Sequence, residues 1–309
     1  MSAFLDYWGE CAGRPAMVWV DRAGNHRLLP YSHFAGCAAR FAGLLDDLGL
    51  ATGESVAVLL PPVPEWWEVA AGAMRAGVPF APMPCGVLDG DRLRAAGAAV
   101  LVVDEAHLEP ALALRRAGGV RHVICVGDLP HAEAMNYRAM MFLAETEHEP
   151  APPGGPVLLA GDESYSHADL RRLAVGLGLA WLDRRRDDLH WSLTPRHTAA
   201  GVLLGLIEPW SAGAAILVDE TGGDPMRVRG LLERFRVNTI SAPGSSYVEL
   251  AGTDLRGLRN SALRRVLATG AQPDAGAARA WSRQTGLWIH PGPAPAAALT
   301  NCATFPGAF

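Results

Sequence analysis

Asp188, His190, Ser192 and Thr194 stand at every second position of one short segment, and His197 follows three residues later. In an extended strand successive side chains point to opposite faces, so this spacing sets a carboxylate, an imidazole and two hydroxyls on one face. Those groups could support Ser–His nucleophilic or general-base chemistry. The candidate catalytic residues are therefore Asp188, His190, Ser192 and His197. The plainer expectation for each histidine is a surface or hydrogen-bonded core residue, and for Trp191 it is core packing. No GxSxG elbow occurs, and Gly244-Ser245-Ser246-Tyr247 is read as lacking the strand–turn–helix frame an elbow needs. No GxGxxG fingerprint and no zinc motif is found, so no metal ligands are assigned.

All 27 of the Lys+Arg residues are arginine; the 309-residue chain has no lysine. A lysine ammonium is a compact charge that can lose its proton when buried, whereas a guanidinium is a planar fork that stays charged. A lysine Schiff base, a lysine general base or a lysine ammonium on a phosphate is thus excluded within this polypeptide. Codon bias explains scarcity more easily than complete absence, because lysine is normally common. The net charge is −5, and the densest basic run, Arg184-Arg185-Arg186, leads straight into Asp187-Asp188. Nucleic acid is therefore not an expected partner. Cys11, Cys37, Cys85, Cys125 and Cys302 are far apart and read as buried thiols of a reducing cytoplasm. The first residues do not read as a signal peptide, and no apolar run approaches the ~20 residues that span a bilayer. A cytoplasmic protein without a membrane partner is expected.

The elements that must position these groups alternate. Residues 17–20 and 28–29, around turn residues 21–25, predict a hairpin. Ser32 is the expected cap of a helix whose apolar face carries Phe34, Cys37, Ala38, Phe41, Leu44, Leu45 and Leu48, with Gly49 ending it. Residues 55–60 predict a buried strand, and a helix follows Pro64 and stops at Gly77. Strands at 100–103 and 122–126 bracket a helix near 108–116. Residues 127–155 end in a Pro/Gly-rich run and predict a linker or surface excursion. Strands are then expected at 157–160, 189–193, 214–218, 239–241, 266–269 and 287–289. Ser166 and Asp224-Pro225 are expected helix starts. With half the residues apolar, the pattern predicts an α/β fold of doubly wound, mainly parallel sheets flanked by helices. Two subdomains are expected, residues 1–150 and 151–309.

Several segments carry a resemblance in the right order. Leu29-Pro30-Tyr31-Ser32-His33-Phe34 is similar to a "TYxEL" segment, and residues 74–83 (MRAGVPFAPM) to "LKAGAxYVPL". Asp188-Leu189-His190-Trp191, with residues 205–213, is similar to a stretch lining an acyl pocket. Residues 231–239 with Ala242-Pro243 are similar to "LLEKYxVTxxxxxPT", and residues 263–273 to "LRxxxSAGEPL". Together they resemble the large N-terminal domain of the adenylate-forming (ANL) superfamily, nearest the acyl-CoA synthetases, and imply its stacked sheets. In that family a phosphate loop, "TSGTTGxPK", comes after the strand at 157–160. Here Gly161-Asp162-Glu163-Ser164-Tyr165-Ser166 runs directly into His167-Ala168-Asp169-Leu170, which resembles the family's residues just beyond the loop. The loop is therefore expected to be deleted, with Asp162 and Glu163 near the triphosphate position. The family's "GYGQTE" is replaced by residues 290–297 (HPGPAPAA), with only Gly292 in register. The resemblance implies that Ala296 stands for a phosphate-binding threonine and Ala297 for a magnesium-holding glutamate. Cys302 and Phe305-Pro306-Gly307 return to the pattern. The ribose-binding aspartate and the C-terminal lid with its lysine are not among the 309 residues, so a truncated, degenerate form is expected.

Ligands in such sheets bind outside the carboxyl ends of the strands. The expected ligand-binding residues are His190, Trp191, Gly270, Ala271, Gln272, Pro273, His290 and Gly292. The Gly270 segment corresponds to one that flanks adenine. No cofactor is expected, and ATP and magnesium binding are expected to be lost. The favoured expectation is a pseudoenzyme of secondary metabolism that binds an acyl or pantetheine ligand, an acyl thioester, a carrier protein, a protein partner or a second copy of itself. One alternative is an ATP-independent enzyme acting on an acyl thioester by hydrolysis, acyl transfer or elimination. Another is a split ligase whose lid comes from a second chain.

Overall fold

Aliphatic runs bounded by turns form strands buried on both faces, as a helix-covered parallel sheet requires. The computed structural model describes residues 2–152 and 154–292. The expectations for Ala296, Ala297, Cys302 and residues 305–307 lie outside the described residues.

The described chain opens with α1 (Ser2–Gly9) and the hairpin β1 (Pro15–Val20)–β2 (His26–Pro30), and then α2 (Tyr31–Asp47). Next come β3 (Ser55–Leu59), α3 (Pro64–Arg75), β4 (Phe80–Pro82), α4 (Gly90–Ala95) and β5 (Ala98–Asp104). After these stand α5 (Leu108–Arg116), β6 (His122–Val126), β7 (Met135–Asn136), α6 (Tyr137–Leu143), β8 (Leu158–Ala160) and β9 (Glu163–Tyr165). The second half holds α7 (His167–Leu177), β10 (Leu189–Ser192), α8 (Ala199–Val202), α9 (Glu208–Ser211), β11 (Ala215–Asp219) and α10 (Pro225–Arg234). It continues with β12 (Thr239–Pro243), α11 (Gly244–Ala251), β13 (Arg265–Thr269), α12 (Ala275–Thr285) and β14 (Ile289–Pro291). Two seven-stranded sheets result, in the orders β7-β6-β5-β3-β4-β8-β9 and β14-β13-β12-β10-β11-β1-β2. The first is parallel from β7 to β8, and β9 runs antiparallel to β8. The second is parallel from β14 to β1.

Each sheet has its own core. In the first, Ala57, Leu59, Leu101, Val103 and Val123 pack with Leu93 of α4 and Ala111 and Leu112 of α5. α3 lies on β3 and β4, with the Trp66 ring edge-on to Phe80 at 5.2 Å. In the second, Val18, Val20, Trp191, Leu217, Ile240, Ala242, Val266 and Ala268 pack with side chains of α10, α11 and α12, among them Leu231, Tyr247 and Trp281. Asp224 caps α10 by accepting from the Arg227 N–H, with Pro225 at the first helical position, as its sequence predicts.

The chain divides into two compact units, and the division differs from a single cut after residue 150. One unit comprises residues 1–14, 30–168 and 197–199; the other comprises 15–29, 169–196 and 200–309. The hairpin β1–β2 belongs to the second sheet because β1 pairs in parallel with β11, from Met17 with Ile216 to Val20 with Asp219. β8 belongs to the first sheet because Leu158 pairs with Phe80 of β4. Residues 127–155 are more than a linker, since they form β7 on the edge of β6 and α6, whose Tyr137 and Met141 are buried. Ser32 does not cap α2: the cap position is Pro30, without a side-chain bond. β14 starts at Ile289, two residues later than expected, because Gly286 ends α12 in the left-handed conformation and Leu287-Trp288 form the connection.

Candidate functional site

In the second unit the carboxyl ends of β10, β12, β13 and β14 share one edge of the parallel sheet, and the expected ligand-binding residues lie on or just beyond them. Gly270 follows β13 with a φ of +70°, and the exposed Ala271 and Gln272 continue the loop to Pro273. This loop sits against the start of α11: a Cβ on Gly244 would stand 2.1 Å from the Ala271 carbonyl oxygen. His290 lies in β14 beside Leu267, and its Nε2 is 3.2 Å from Arg265 Nη1. Partial burial and then the Arg265 charge lower its pKa. The Gly292 N–H donates to the Ala268 carbonyl at 2.7 Å. Trp191 is buried among the core side chains of this unit.

The strand β10 covers only Leu189–Ser192, so Asp188 and Thr194 fall outside it, and the polar side chains find different partners. Asp188 accepts from Arg264 Nη2 at 2.5 Å and from the Arg185 N–H at 2.8 Å. His190 is fully buried, with Nδ1 2.8 Å from Thr239 Oγ1 and Nε2 3.3 Å from Ser241 Oγ. The Thr194 N–H donates weakly to Ser192 Oγ at 3.4 Å, and Thr194 Oγ1 is 3.2 Å from Thr269 Oγ1. His197 falls in the other unit. The structure thus gives His190 neither Asp188 as orienting carboxylate nor Ser192 as hydroxyl partner.

The neighbours of His190 set its protonation. Arg184 and Glu208 form a buried pair, with Arg184 Nε donating to Glu208 Oε1 at 2.8 Å. Arg184 Nη1 donates to Thr239 Oγ1 at 2.6 Å. A guanidinium is donor only, so Thr239 Oγ1 accepts from it, and the same hydroxyl can still donate to or accept from His190 Nδ1. Burial, then the Arg184 charge, push the His190 pKa well below its ordinary value. A ring held neutral in this way is a poor base toward Ser241. The segment Gly244-Ser245-Ser246-Tyr247, denied a strand–helix frame from sequence, does follow β12 directly and open α11. His190 does not serve these serines as a base, since its ring nitrogens are engaged by Thr239 and Ser241.

In the first unit, the segment where the phosphate loop was expected to be deleted is a tight hairpin. Leu158 pairs with Tyr165, Leu159 with Ser164 and Ala160 with Glu163, leaving only Gly161-Asp162 as the turn. Gly161 takes a φ of +66°, as the first position of such a two-residue turn favours. Asp162 and Glu163 are exposed at its tip.

This fold, two mostly parallel sheets flanked by helices, is that of acyl-CoA synthetase N-terminal domains. The Brucella canis acyl-CoA synthetase superposes with a TM-score of 0.81 at 20% identity, covering 94% of this chain and 57% of that one. A benzoate CoA ligase from Burkholderia xenovorans gives 0.81 at 18% identity, covering 96% and 61%. Among curated proteins, the human mitochondrial acyl-coenzyme A synthetase ACSM2A is 26% identical over 313 residues, 93% of this chain and 54% of its own length. The chain thus spans about half the length of the curated relatives it matches. The AMP-binding enzyme family model matches residues 6–159. The N-terminal region is thus an AMP-binding domain of the adenylate-forming (ANL) superfamily. Among the described residues no helix is long and apolar enough to cross a membrane.

Proposed function

We propose that this chain is an acyl-CoA-synthetase-like binding domain that does not form acyl-adenylates. The observation that carries the reading is the two-residue turn Gly161-Asp162. Cradling a triphosphate takes a run of successive backbone N–H groups and hydroxyls, and two residues closing a hairpin cannot wrap around one. Asp162 and Glu163, exposed at the turn, add negative charge where a polyanion would approach. Ala296 and Ala297 point the same way, because a methyl group neither bonds a phosphate oxygen nor holds magnesium. No lysine is available to replace the lost donors. Neither ATP nor magnesium serves as a cofactor on this reading.

The retained fold then holds an acyl or pantetheine group, presented as an acyl thioester or on a carrier protein, at the carboxyl edge that carries Gly270 to Pro273. A thioester enzyme built on His190 is not favoured, because that ring is buried with both nitrogens engaged. ATP–pyrophosphate exchange across a panel of carboxylic acids, run beside calorimetric titrations with acyl-CoA thioesters and holo-carrier proteins, tests the proposal. We expect no exchange, no heat with magnesium-ATP, and saturable binding of one thioester class. Acid-dependent exchange above background would overturn the first part, and silence toward every thioester and carrier the second.

A further inference from the structure

Outside the carboxyl edge, the first unit gathers three metal-ligating side chains. His33 and Cys37 are four residues apart on α2, so they share a helix face. Glu68 of α3 meets that face. His33 Nε2 is 2.8 Å from Glu68 Oε1 and 3.9 Å from Cys37 Sγ, and one donor atom from each residue lies within 4.8 Å of the others. Three ligands around one tetrahedral zinc ion, at ~2.0–2.3 Å each, have donor–donor separations of roughly 3.3–3.8 Å. The cluster therefore needs the His33–Glu68 contact to open by about half an ångström and the Cys37–Glu68 separation, within 4.8 Å, to close by up to about 1 Å. Tyr137, the first residue of α6, donates its hydroxyl to Glu68 Oε2 at 2.8 Å. That bond anchors one carboxylate oxygen and leaves the other toward His33, the role outer-shell partners play around metal ligands. Cys37, Glu68 and Tyr137 also line a depression of about 380 Å³, with Arg40 and Phe142 on its walls.

We propose that His33 Nε2, Cys37 Sγ and a Glu68 carboxylate oxygen form a three-ligand site for a divalent cation of zinc type, its fourth position open to the depression. Imidazole, thiolate and carboxylate suit such a borderline-soft ion. On binding, the Cys37 S–H bond breaks, the sulfur bonds to the metal and the proton leaves to solvent. One thiolate and one carboxylate then balance the two positive charges, which suits a partly buried site. The His-x-x-x-Cys spacing on α2 was not read as a ligand pair from the sequence, and Glu68 is brought to it only by the packing of α3 on α2.

The test is a cobalt(II) titration of the intact chain, and then zinc(II) competition. A thiolate-to-cobalt charge-transfer band saturating at one equivalent, and displaced by one equivalent of zinc, is expected. The band should vanish in Cys37→Ser, weaken at least tenfold in apparent affinity in His33→Gln, and persist in a Cys11→Ser/Cys85→Ser variant. Tyr137→Phe should keep the band and weaken binding by roughly 10- to 100-fold. Circular dichroism establishes that each variant is folded, and His33→Gln stands in if Cys37→Ser is not. No band at stoichiometric cobalt, or a band that survives both Cys37→Ser and His33→Gln, overturns the proposal.

Discussion

The chain Glu208–Arg184–Thr239–His190–Ser241 shows how an apparent catalytic string can be structural. Each nitrogen of the Arg184 guanidinium and of the His190 ring has a partner inside the core, where an unmatched polar group is costly. Removing one partner of a buried ion pair leaves the other charge uncompensated, at a cost of ~3–5 kcal/mol. Glu208→Ala should therefore lower stability by about that much in urea unfolding, whereas Arg184→Met combined with Glu208→Leu should recover most of it. Equal stability of the single and double variants would contradict this account. His190 sets a pH dependence. Its folded-state pKa lies well below the ordinary value of 6.5, so between those two values the unfolded chain binds more protons. Stability contributed by the neutral ring is fully present above about pH 6.5 and is lost as the pH falls toward the folded-state pKa. Unfolding at pH 7 and pH 5 should show a smaller acid loss in His190→Gln than in the parent; an unchanged loss would assign the effect to other groups.

At the scale of elements, strands and helices with a full period were legible. Residues 122–126 and 108–116 are β6 and α5 to the residue, and the cap at Asp224 holds. What escaped is short. β7 has two residues and β4 three, too few for any alternation to show. α6 is one helix of seven residues whose buried positions, Tyr137 and Met141, stand four apart inside a segment dominated by its Pro/Gly-rich end. The candidate site was legible in part. Gly270 to Pro273 were placed at the end of β13, but the partners of His190 were not, because Thr239 and Ser241 come from the adjacent strand, Arg184 from the segment before β10 and Glu208 from the start of α9. Gly244 was read only as a motif letter, although its missing side chain is what lets α11 meet the Ala271 carbonyl. Gly244→Ala should cost roughly 1–3 kcal/mol through overpacking and loosen the Gly270–Pro273 loop. Thermal melts with limited proteolysis of that loop would show both, and an unperturbed loop would mean that α11 shifts instead.

For the whole molecule, the consequential feature is that the second unit is discontinuous in sequence. Residues 15–29 complete its sheet from far upstream. β1 gives β11 a four-pair parallel edge from Met17–Ile216 to Val20–Asp219. The Trp210 indole N–H donates to the Ala16 carbonyl at 3.0 Å, Arg227 Nη2 to the Asp21 carbonyl at 2.6 Å and Arg234 Nη1 to the Gly24 carbonyl at 2.9 Å. A cut after residue 150, the boundary that composition suggests, would strip all of this and bare the β11 edge, a template for intermolecular pairing. It would also separate β8 from β4, its partner in the first sheet. Residues 151–309 produced alone should therefore aggregate or unfold without cooperativity. Joining residues 15–29 through a flexible linker to a fragment beginning at 169 should restore a monomer with a sigmoidal urea transition. Size-exclusion chromatography and urea unfolding of the two fragments decide the matter. A monomeric, cooperatively folding 151–309 fragment would show that the hairpin decorates the second sheet and is not required to complete it.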